Sequence, residues 1–239
     1  MNYGNLREQW LADENAVFKG WDFSYLNGRW SNEVEKWDYS KIIHTYLENE
    51  HVLLDMGTSG GEFLLTLKHP YHVTHVTEAY QPNVDLCMKN LAPLGINVKQ
   101  VYDDSYYRHE AFDMSEVRRI LKPKGVFITQ QVGCENSIDL RKSINPAFNN
   151  PFSNHNLANN IELIKKQGFD ILLQEEDFPK TCFFDIGAIV YYAKTIVWEF
   201  PDFSVENCFS GLCELQKQLD EKGVIDSCSH RFIIVAKKL

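Results

Sequence analysis

A glycine-rich turn followed by an acidic strand end is the part of this sequence best suited to chemistry. The segment Asp55–Glu62 reads Asp-Met-Gly-Thr-Ser-Gly-Gly-Glu, follows a short apolar run and opens a predicted helix. Such a turn needs residues that tolerate positive φ, and a cofactor needs close approach to the backbone without a Cβ in the way. Glu78 lies 23 positions after Asp55, where an acid can accept hydrogen bonds from ribose hydroxyls. The turn alone is also compatible with a structural role, but together with Glu78 it predicts an adenosine-type ligand.

The turn lacks the features of a phosphate-binding loop. Counted from Gly57, a dinucleotide fingerprint would have glycine at the positions of Ser59 and Glu62, and neither residue is glycine. The Gly-Lys-Ser/Thr sequence of a P-loop is absent as well. A ligand without a phosphate therefore fits better than a dinucleotide, because the turn lacks the glycine that lets a pyrophosphate settle on the helix N-terminus.

The elements that must position this turn are strands that alternate with helices along the chain. Such alternation predicts a parallel, doubly wound sheet. The predicted strands are His51–Asp55, His72–Glu78, Asn97–Tyr102, Val126–Val132, Ile171–Asp177 and Phe232–Ala236. The predicted helices are Glu33–Leu47, Glu62–Leu67, Pro82–Leu91, His109–Leu121 and Asn154–Gln167, with a mostly helical insertion over Asp185–Lys222. We expect 1–239 to be one domain, with a helical cap at 1–50, a core at 51–184 and 223–239, and the insertion at 185–222.

The glycine turn resembles motif I of the class I S-adenosylmethionine-dependent methyltransferases, and the resemblance is closest to the methyltransferase type 11 branch. Gly57, Ser59 and Gly61 occupy the three small-residue positions of that motif, and Ile120–Val126 is similar to the family's LKPGG segment, with Lys124 where glycine is usual. The resemblance implies a Rossmann-like fold with a mostly parallel sheet and an antiparallel last strand. It also implies S-adenosyl-L-methionine as cofactor, S-adenosyl-L-homocysteine as product, and cofactor contacts from Asp55, Gly57, Thr58, Ser59, Gly61, Glu78, Ala79, Asp103, Asp104 and Arg108.

The sequence departs from this family between Val101 and His109. The family's sheet has a further strand between the acid near Asp104 and the helix that begins near His109, and only a handful of residues lie between them here. Either the protein has lost a central strand, or a stretch near Ser105–Tyr107 is missing from the sequence. We favour the missing stretch, because losing a central strand would leave buried backbone groups unpaired at about 1–3 kcal/mol each.

Candidate residues for methyl transfer itself are few. His109 is a weak candidate for a general base, since its ordinary pKa lies near working pH, and packing beside the loop is the alternative. Tyr25, Arg29, Trp30 and Tyr192 could form a lid and an aromatic wall for a substrate. The alternative for these four is a plain hydrophobic contact between the cap, the insertion and the sheet.

Composition restricts the classes of partner. The chain has 24 Lys and Arg against 33 Asp and Glu, a net charge of −9, which weakens a nucleic-acid interpretation because that binding depends mainly on basic residues. No apolar run reaches the length of a membrane span, and the N-terminus lacks a signal-peptide layout. The six cysteines form no C-x-x-C pair, so we expect reduced thiols, a cytoplasmic location and no metal site.

The sequence therefore predicts an S-adenosylmethionine-dependent methyltransferase that acts on a small-molecule acceptor by in-line attack on the sulfonium methyl. A non-catalytic cofactor-binding or interaction protein and a methyltransferase acting on RNA remain alternatives. An NAD-dependent oxidoreductase is less favoured because of Ser59 and Glu62. The acceptor, the atom methylated and the oligomeric state are not encoded in any motif of the sequence.

Overall fold

The computed structural model describes residues 3–18, 22–101 and 112–239. These residues form two compact units. The glycine-loop unit comprises 37–101 and 112–120, and the larger unit comprises 3–18, 22–36 and 121–239. The domain division expected from the sequence stays a prediction beside these two units. No helix in the described part of the chain is long and apolar enough to cross a membrane.

The described residues begin with an α-helix and end with a β-strand. Helices and strands alternate singly as far as residue 132 and follow one another in pairs after it. The helices are α1 (Tyr3–Glu14), α2 (Tyr39–Tyr46), α3 (Glu62–Thr66), α4 (Gln81–Asn90), α5 (Met114–Ile120), α6 (Ile138–Ile144), α7 (Leu157–Lys166), α8 (Ile186–Thr195) and α9 (Val205–Lys222). The strands are β1 (Trp30–Asn32), β2 (Leu53–Met56), β3 (Thr74–Glu78), β4 (Asn97–Gln100), β5 (Val126–Val132), β6 (Phe169–Asp177), β7 (Lys180–Phe183), β8 (Ile225–Cys228) and β9 (Arg231–Lys238).

The glycine-loop unit is a parallel sheet in the order β2-β3-β4. Leu53 is opposite Thr74, and His75 is opposite Asn97. Parallel neighbours need a crossover, and the short helices α3 and α4 lie in the two connections. Pro82 lies in the first turn of α4, where its missing N–H costs no hydrogen bond. The strand-helix alternation predicted for this part of the sequence is confirmed.

The larger unit contains an antiparallel sheet in the order β5-β9-β6. The last strand, β9, lies between the other two, and its residues 232–236 are almost completely buried. Arg231 is opposite both Val132 and Asp177, so the carboxyl ends of β5 and β6 and the start of β9 meet at one edge of this sheet. The antiparallel last strand predicted from the family resemblance is confirmed.

A second antiparallel sheet in the larger unit, β1-β7-β8, was not predicted. Its strands are only three or four residues long and lie far apart in sequence, so they carry little periodicity of their own. Beside it, α8 is almost entirely buried, and its residues 188–191 are each at most 1% exposed. Together with Trp10 of α1 and Leu212 of α9, this helix forms the main hydrophobic core of the unit.

Three expectations about the fold need correction. The described residues form three separate three-stranded sheets in place of one doubly wound sheet, and four of their six strand pairings are antiparallel. Within the described ranges, parallel pairing is confined to residues 53–100, because β9 inserts antiparallel between β5 and β6 and the second sheet is antiparallel throughout. The predicted helix Glu33–Leu47 is wrong in its first part, since Asp38 accepts from the Lys41 N–H and caps α2 there. Helix α6 was missed.

The segment in which the sequence departs from the methyltransferase pattern, Ser105–Tyr107, lies outside the described residues. The expectation that a stretch of sequence is missing there therefore stays a prediction.

Candidate functional site

The glycine loop after β2 has the backbone that its sequence predicts. Gly57, Ser59 and Gly61 all adopt positive φ, at 70°, 56° and 84°. The Gly57 N–H donates to the Thr77 carbonyl at 2.9 Å, and the Gly61 N–H donates to the Thr58 carbonyl at 3.0 Å. Ser59 is the unusual member, because a residue with a Cβ pays a steric penalty at positive φ. The loop is thus a strained turn fixed by backbone hydrogen bonds.

Gly61 is required by packing as well as by φ. A Cβ at Gly61 would lie 2.6 Å from Cδ1 of Leu91, and Leu91 is fully buried. The loop therefore reaches the residue that follows α4 with no space for a side chain. At this position glycine allows the loop backbone to pack directly against the Leu91 side chain.

Glu78 ends β3 and is 6% exposed. Its Oε2 accepts a hydrogen bond from the Ser59 N–H at 2.9 Å, while Oε1 accepts from the N–H groups of Ala79 at 2.9 Å and Tyr80 at 3.0 Å. A carboxylate has about four acceptor positions, so three of them are used within the protein. The side chain that could hold a ribose also ties the glycine loop to the end of β3.

Two further side chains support the loop. The Cys87 thiol is fully buried and donates to the Ser59 carbonyl at 2.8 Å. Burial raises the pKa of Cys87 to about 11, with the nearby negative charge of Glu78 adding to this. Burial also raises the pKa of Asp55, while Thr58 lowers it. The Thr58 hydroxyl oxygen that acts on Asp55 is itself buried, and it makes no well-aligned hydrogen bond among the described residues.

Four predicted site residues lie outside the described residues. They are Asp103, Asp104, Arg108 and His109. The predicted cofactor contacts of Asp103, Asp104 and Arg108 and the predicted general base His109 therefore stay predictions. The part of the predicted cofactor site that the structure brings together consists of Asp55, the loop from Gly57 to Gly61, Glu78 and Ala79.

Arg29, predicted as a substrate or lid residue, is held by two carboxylates of the larger unit. Its Nη1 donates to Asp13 at 2.8 Å, and its Nε and Nη2 donate to the two oxygens of Asp185 at 2.9 and 2.5 Å. The guanidinium carbon lies 5.1 Å from the centre of the Tyr25 ring, and the Tyr25 hydroxyl donates to Asp13. A Cβ at Gly187 would lie 1.9 Å from an oxygen of Asp13. These contacts join α1, the loop before β1 and the start of α8.

Trp30 and Tyr192 pack together in an aromatic cluster, with ring centres 5.9 Å apart. Both also contact Phe183 of β7. Burial raises the pKa of Tyr192, and the charge of Glu199 adds to this effect. The structure thus places Arg29, Tyr25, Trp30 and Tyr192 in packing and ion-pair roles within one unit, and their proposed contact with a substrate stays a prediction.

A buried polar network follows the carboxyl end of β5, and sequence reasoning missed most of it. Asn136 is 2% exposed and donates to both oxygens of Glu199 at 2.8 Å. Its own side-chain oxygen accepts from the His230 backbone N–H at 3.0 Å and from Nη1 of Arg231 at 2.5 Å. The available signal was the polar segment after the strand, since ligands of open α/β sheets bind beyond the carboxyl ends of the strands.

His230 belongs to the same network and is 1% exposed. Its Nδ1 accepts from the Glu135 N–H at 3.1 Å, which assigns the proton to Nε2, and Nε2 donates to Glu176 at 2.9 Å. A Cβ at Gly133 would lie 2.2 Å from Cε1 of the His230 ring. Gly133 therefore makes room for an imidazole that joins the ends of β5 and β6.

No group of three or more His, Cys, Asp or Glu side chains in the described ranges is arranged to hold a metal ion. No protein-family model matches the sequence, and no curated protein matches it.

Comparison with solved structures reveals similar folds. A functionally unknown protein from Deinococcus radiodurans R1 is 10% identical, with 88% of this chain and 92% of that chain covered and a TM-score of 0.51. The YcgJ protein of Bacillus subtilis is 15% identical, with 84% and 97% covered and a TM-score of 0.50. A SAM-dependent methyltransferase from Thiobacillus denitrificans, solved with S-adenosyl-L-homocysteine, is 13% identical, with 84% and 91% covered and a TM-score of 0.45. At these identities, the likeness to the first two shows a shared α/β fold.

Proposed function

We propose that this protein is an S-adenosyl-L-methionine-dependent methyltransferase that acts on a small-molecule acceptor. The observation that carries the proposal is the hydrogen bond between the Ser59 N–H and the Glu78 carboxylate. It joins a glycine turn with three positive φ values to the acid that ends the next strand. This arrangement brings a backbone surface without phosphate-binding features beside an acceptor for ribose hydroxyls.

The residues present fit the proposed cofactor. The Glu78 carboxylate would accept a ribose hydroxyl at its remaining acceptor position, and the loop backbone at 57–61 would lie against the rest of the nucleoside. The buried Thr58 hydroxyl, which makes no well-aligned hydrogen bond in the described part of the chain, would gain one from the ligand. The cofactor itself supplies a methyl group already activated on a sulfonium.

For such a reaction the protein's main contribution is to position the acceptor in line with the methyl group. A general base is needed only where the acceptor atom begins protonated, and His109 is the proposed candidate. We propose a small acceptor because the net charge of −9 disfavours a polyanion such as RNA. All six cysteines are free thiols, which supports the proposed cytoplasmic location.

A comparison of three ligands tests the proposed cofactor class. The protein is titrated with S-adenosylhomocysteine, and the shift in its melting temperature is compared with those given by NAD and ATP at the same concentration. Only S-adenosylhomocysteine is expected to raise the melting temperature, because a ligand that binds only the folded state stabilises it by mass action. A shift with NAD alone would replace the proposal with the oxidoreductase alternative.

The bonding of Glu78 also favours a second candidate function, a non-catalytic interaction protein. Three backbone N–H groups already satisfy most of its carboxylate, so the acid and the loop could serve structure alone. This candidate predicts no melting-temperature shift with any of the three ligands, and no transfer of labelled methyl groups to any acceptor in a screen of small molecules.

A further inference from the structure

The Ser59 N–H and a bound ribose would compete for the same carboxylate. Glu78 Oε1 accepts from the N–H groups of Ala79 and Tyr80, and Oε2 accepts from the Ser59 N–H. A carboxylate has about four acceptor positions, so one position is left, on Oε2. The ribose of S-adenosylhomocysteine carries two neighbouring hydroxyl groups, and both can donate. One of the three hydrogen bonds must therefore break if Glu78 is to accept from both hydroxyls.

The hydrogen bonds from Ala79 and Tyr80 are fixed by the local chain. Both residues follow Glu78 directly, and their N–H groups lie 2.9 and 3.0 Å from Oε1. Tyr80 is also the N-cap residue of α4, and its carbonyl accepts from the N–H groups of Asn83 and Val84, both at 2.9 Å. These two donors therefore stay beside Oε1 unless the start of α4 moves.

The hydrogen bond from Ser59 is the one that costs least to release. Ser59 lies 19 residues before Glu78 in the chain and is half-buried. Its φ of 56° is unfavourable for a residue with a Cβ. A change to negative φ would therefore relieve strain as the N–H leaves the carboxylate. The Cys87 thiol, which donates to the Ser59 carbonyl at 2.8 Å, opposes this change with one weak hydrogen bond.

We propose that the Ser59 N–H is a latch on Glu78, closed in the conformation described above and opened by a ligand with two neighbouring hydroxyl groups. The first hydroxyl takes the acceptor position that is left on Oε2, and the second takes the place of the Ser59 N–H. A nucleoside with a single ribose hydroxyl needs only the remaining position and leaves the latch closed. This inference rests on the proposed function, because it takes a ribose to be the group that Glu78 binds.

Amide hydrogen exchange followed by NMR tests the latch, with S-adenosylhomocysteine and its 2′-deoxy analogue as probes. Saturation with S-adenosylhomocysteine is expected to raise the exchange rate of the Ser59 amide about tenfold or more, the scale of one lost hydrogen bond to a charged group. The 2′-deoxy analogue should not raise that rate. The Gly57 amide is the internal control, since it donates to the Thr77 carbonyl and should not exchange faster with either probe.

A matched pair of Cys87 variants provides the second arm. Cys87→Ala removes the thiol that holds the Ser59 carbonyl, whereas Cys87→Ser keeps a donor there. Calorimetry gives the ratio of the affinities for S-adenosylhomocysteine and its 2′-deoxy analogue. This ratio is expected to rise about two- to tenfold in Cys87→Ala, the scale of one hydrogen bond, and to stay near the wild-type value in Cys87→Ser. A merely structural role of Cys87 would change both affinities equally and leave the ratio unchanged.

The outcomes separate the latch from the proposed function. If S-adenosylhomocysteine shifts the resonances of residues 57–61 while the Ser59 amide stays protected, the latch is overturned and the cofactor site stands. An equal rise in exchange with both probes, or an unchanged affinity ratio in Cys87→Ala, would also overturn the latch alone. Absence of any shift in these resonances would overturn the latch and the proposed function together.

Discussion

The backbone N–H of Ser59 donates a 2.9 Å hydrogen bond to Oε2 of Glu78. One contact thus joins the strained residue of the glycine loop to the acid that ends β3. Any ligand that uses Glu78 must share the carboxylate with this hydrogen bond or replace it. The conformation of the loop and the availability of the acid are therefore coupled.

Replacement of Gly61 by alanine should destabilise the protein more than the same change at Gly95. Both residues have φ near +85°, at 84° and 89°, but a new Cβ at Gly61 would overlap Leu91, whereas at Gly95 it would meet nothing within 4 Å. Backbone strain at positive φ costs about 1–2 kcal/mol, and overpacking adds about 1–3 kcal/mol. Urea unfolding of the two variants measures the difference. Equal losses in the free energy of unfolding would show that the Leu91 side chain can move away from the new Cβ at little cost.

Replacement of Arg29 by methionine should lower stability more than replacement of Arg119. Both arginines pair with a carboxylate through two nitrogens. The Arg29 side chain is 25% exposed and bonds a second acid, Asp13, whereas Arg119 is 70% exposed. We expect a loss of about 1–2 kcal/mol for Arg29→Met, the range for partly screened charged hydrogen bonds, and little change for Arg119→Met.

Thermal and urea unfolding of these two arginine variants provide the measurement. A loss at Arg119 as large as that at Arg29 would contradict the assignment of Arg29 to the contact between α1 and α8. Methyl-transfer assays of the same variants, once an acceptor is known, separate this packing role from the predicted role at the substrate.

Cys87 should react slowly with iodoacetamide in the folded protein. Burial raises the pKa of its thiol to about 11, so only about a thousandth of it is thiolate at pH 8, and the thiolate is the reactive form. Cys228 is exposed and serves as the internal control. Mass spectrometry of timed samples should show Cys228 modified first and Cys87 modified only after denaturation. Equal rates would contradict the burial of Cys87 beneath the loop.

Asp55 should make stability depend on pH in an unusual direction. Burial raises its pKa above the ordinary value of 3.8, so the folded state binds its proton more tightly than the unfolded state does. Its contribution is therefore greatest below pH 3.8 and is lost as the pH rises through the folded value. Asp55→Asn should gain stability relative to wild type as the pH increases from 4 to 7, measured by urea unfolding. A constant difference between the two proteins would refute this.

The sequence predicts the glycine-loop unit well because its elements are encoded locally. Gly57, Ser59 and Gly61 mark a turn that needs positive φ, and Pro82 marks the first turn of α4. Such signals depend on the residue and its neighbours, so the strand-turn-helix order from β2 to β4 could be derived before the structure was known.

The remaining features depend on contacts between distant parts of the chain. The hydrogen bonds from Asn136 to Glu199 join positions 63 residues apart, and no local pattern indicates them. The strands β1, β7 and β8 are too short for periodicity to reveal. Glu78 was predicted as a ligand contact, but its bonds to three N–H groups could not be foreseen, since they depend on how the loop folds back.

Calorimetric titration with S-adenosylhomocysteine separates a cofactor site at Glu78 from a purely structural role of that acid. Wild type is compared with Glu78→Ala, Glu78→Gln and the control Glu48→Ala, which removes an exposed acid of the same unit. We expect micromolar binding by wild type and Glu48→Ala, and binding weaker by about 1–3 kcal/mol in Glu78→Ala, the scale of lost charged hydrogen bonds. Circular dichroism verifies that each variant is folded. No binding by folded wild type, or equal binding by wild type and both Glu78 variants, would contradict a cofactor site at Glu78.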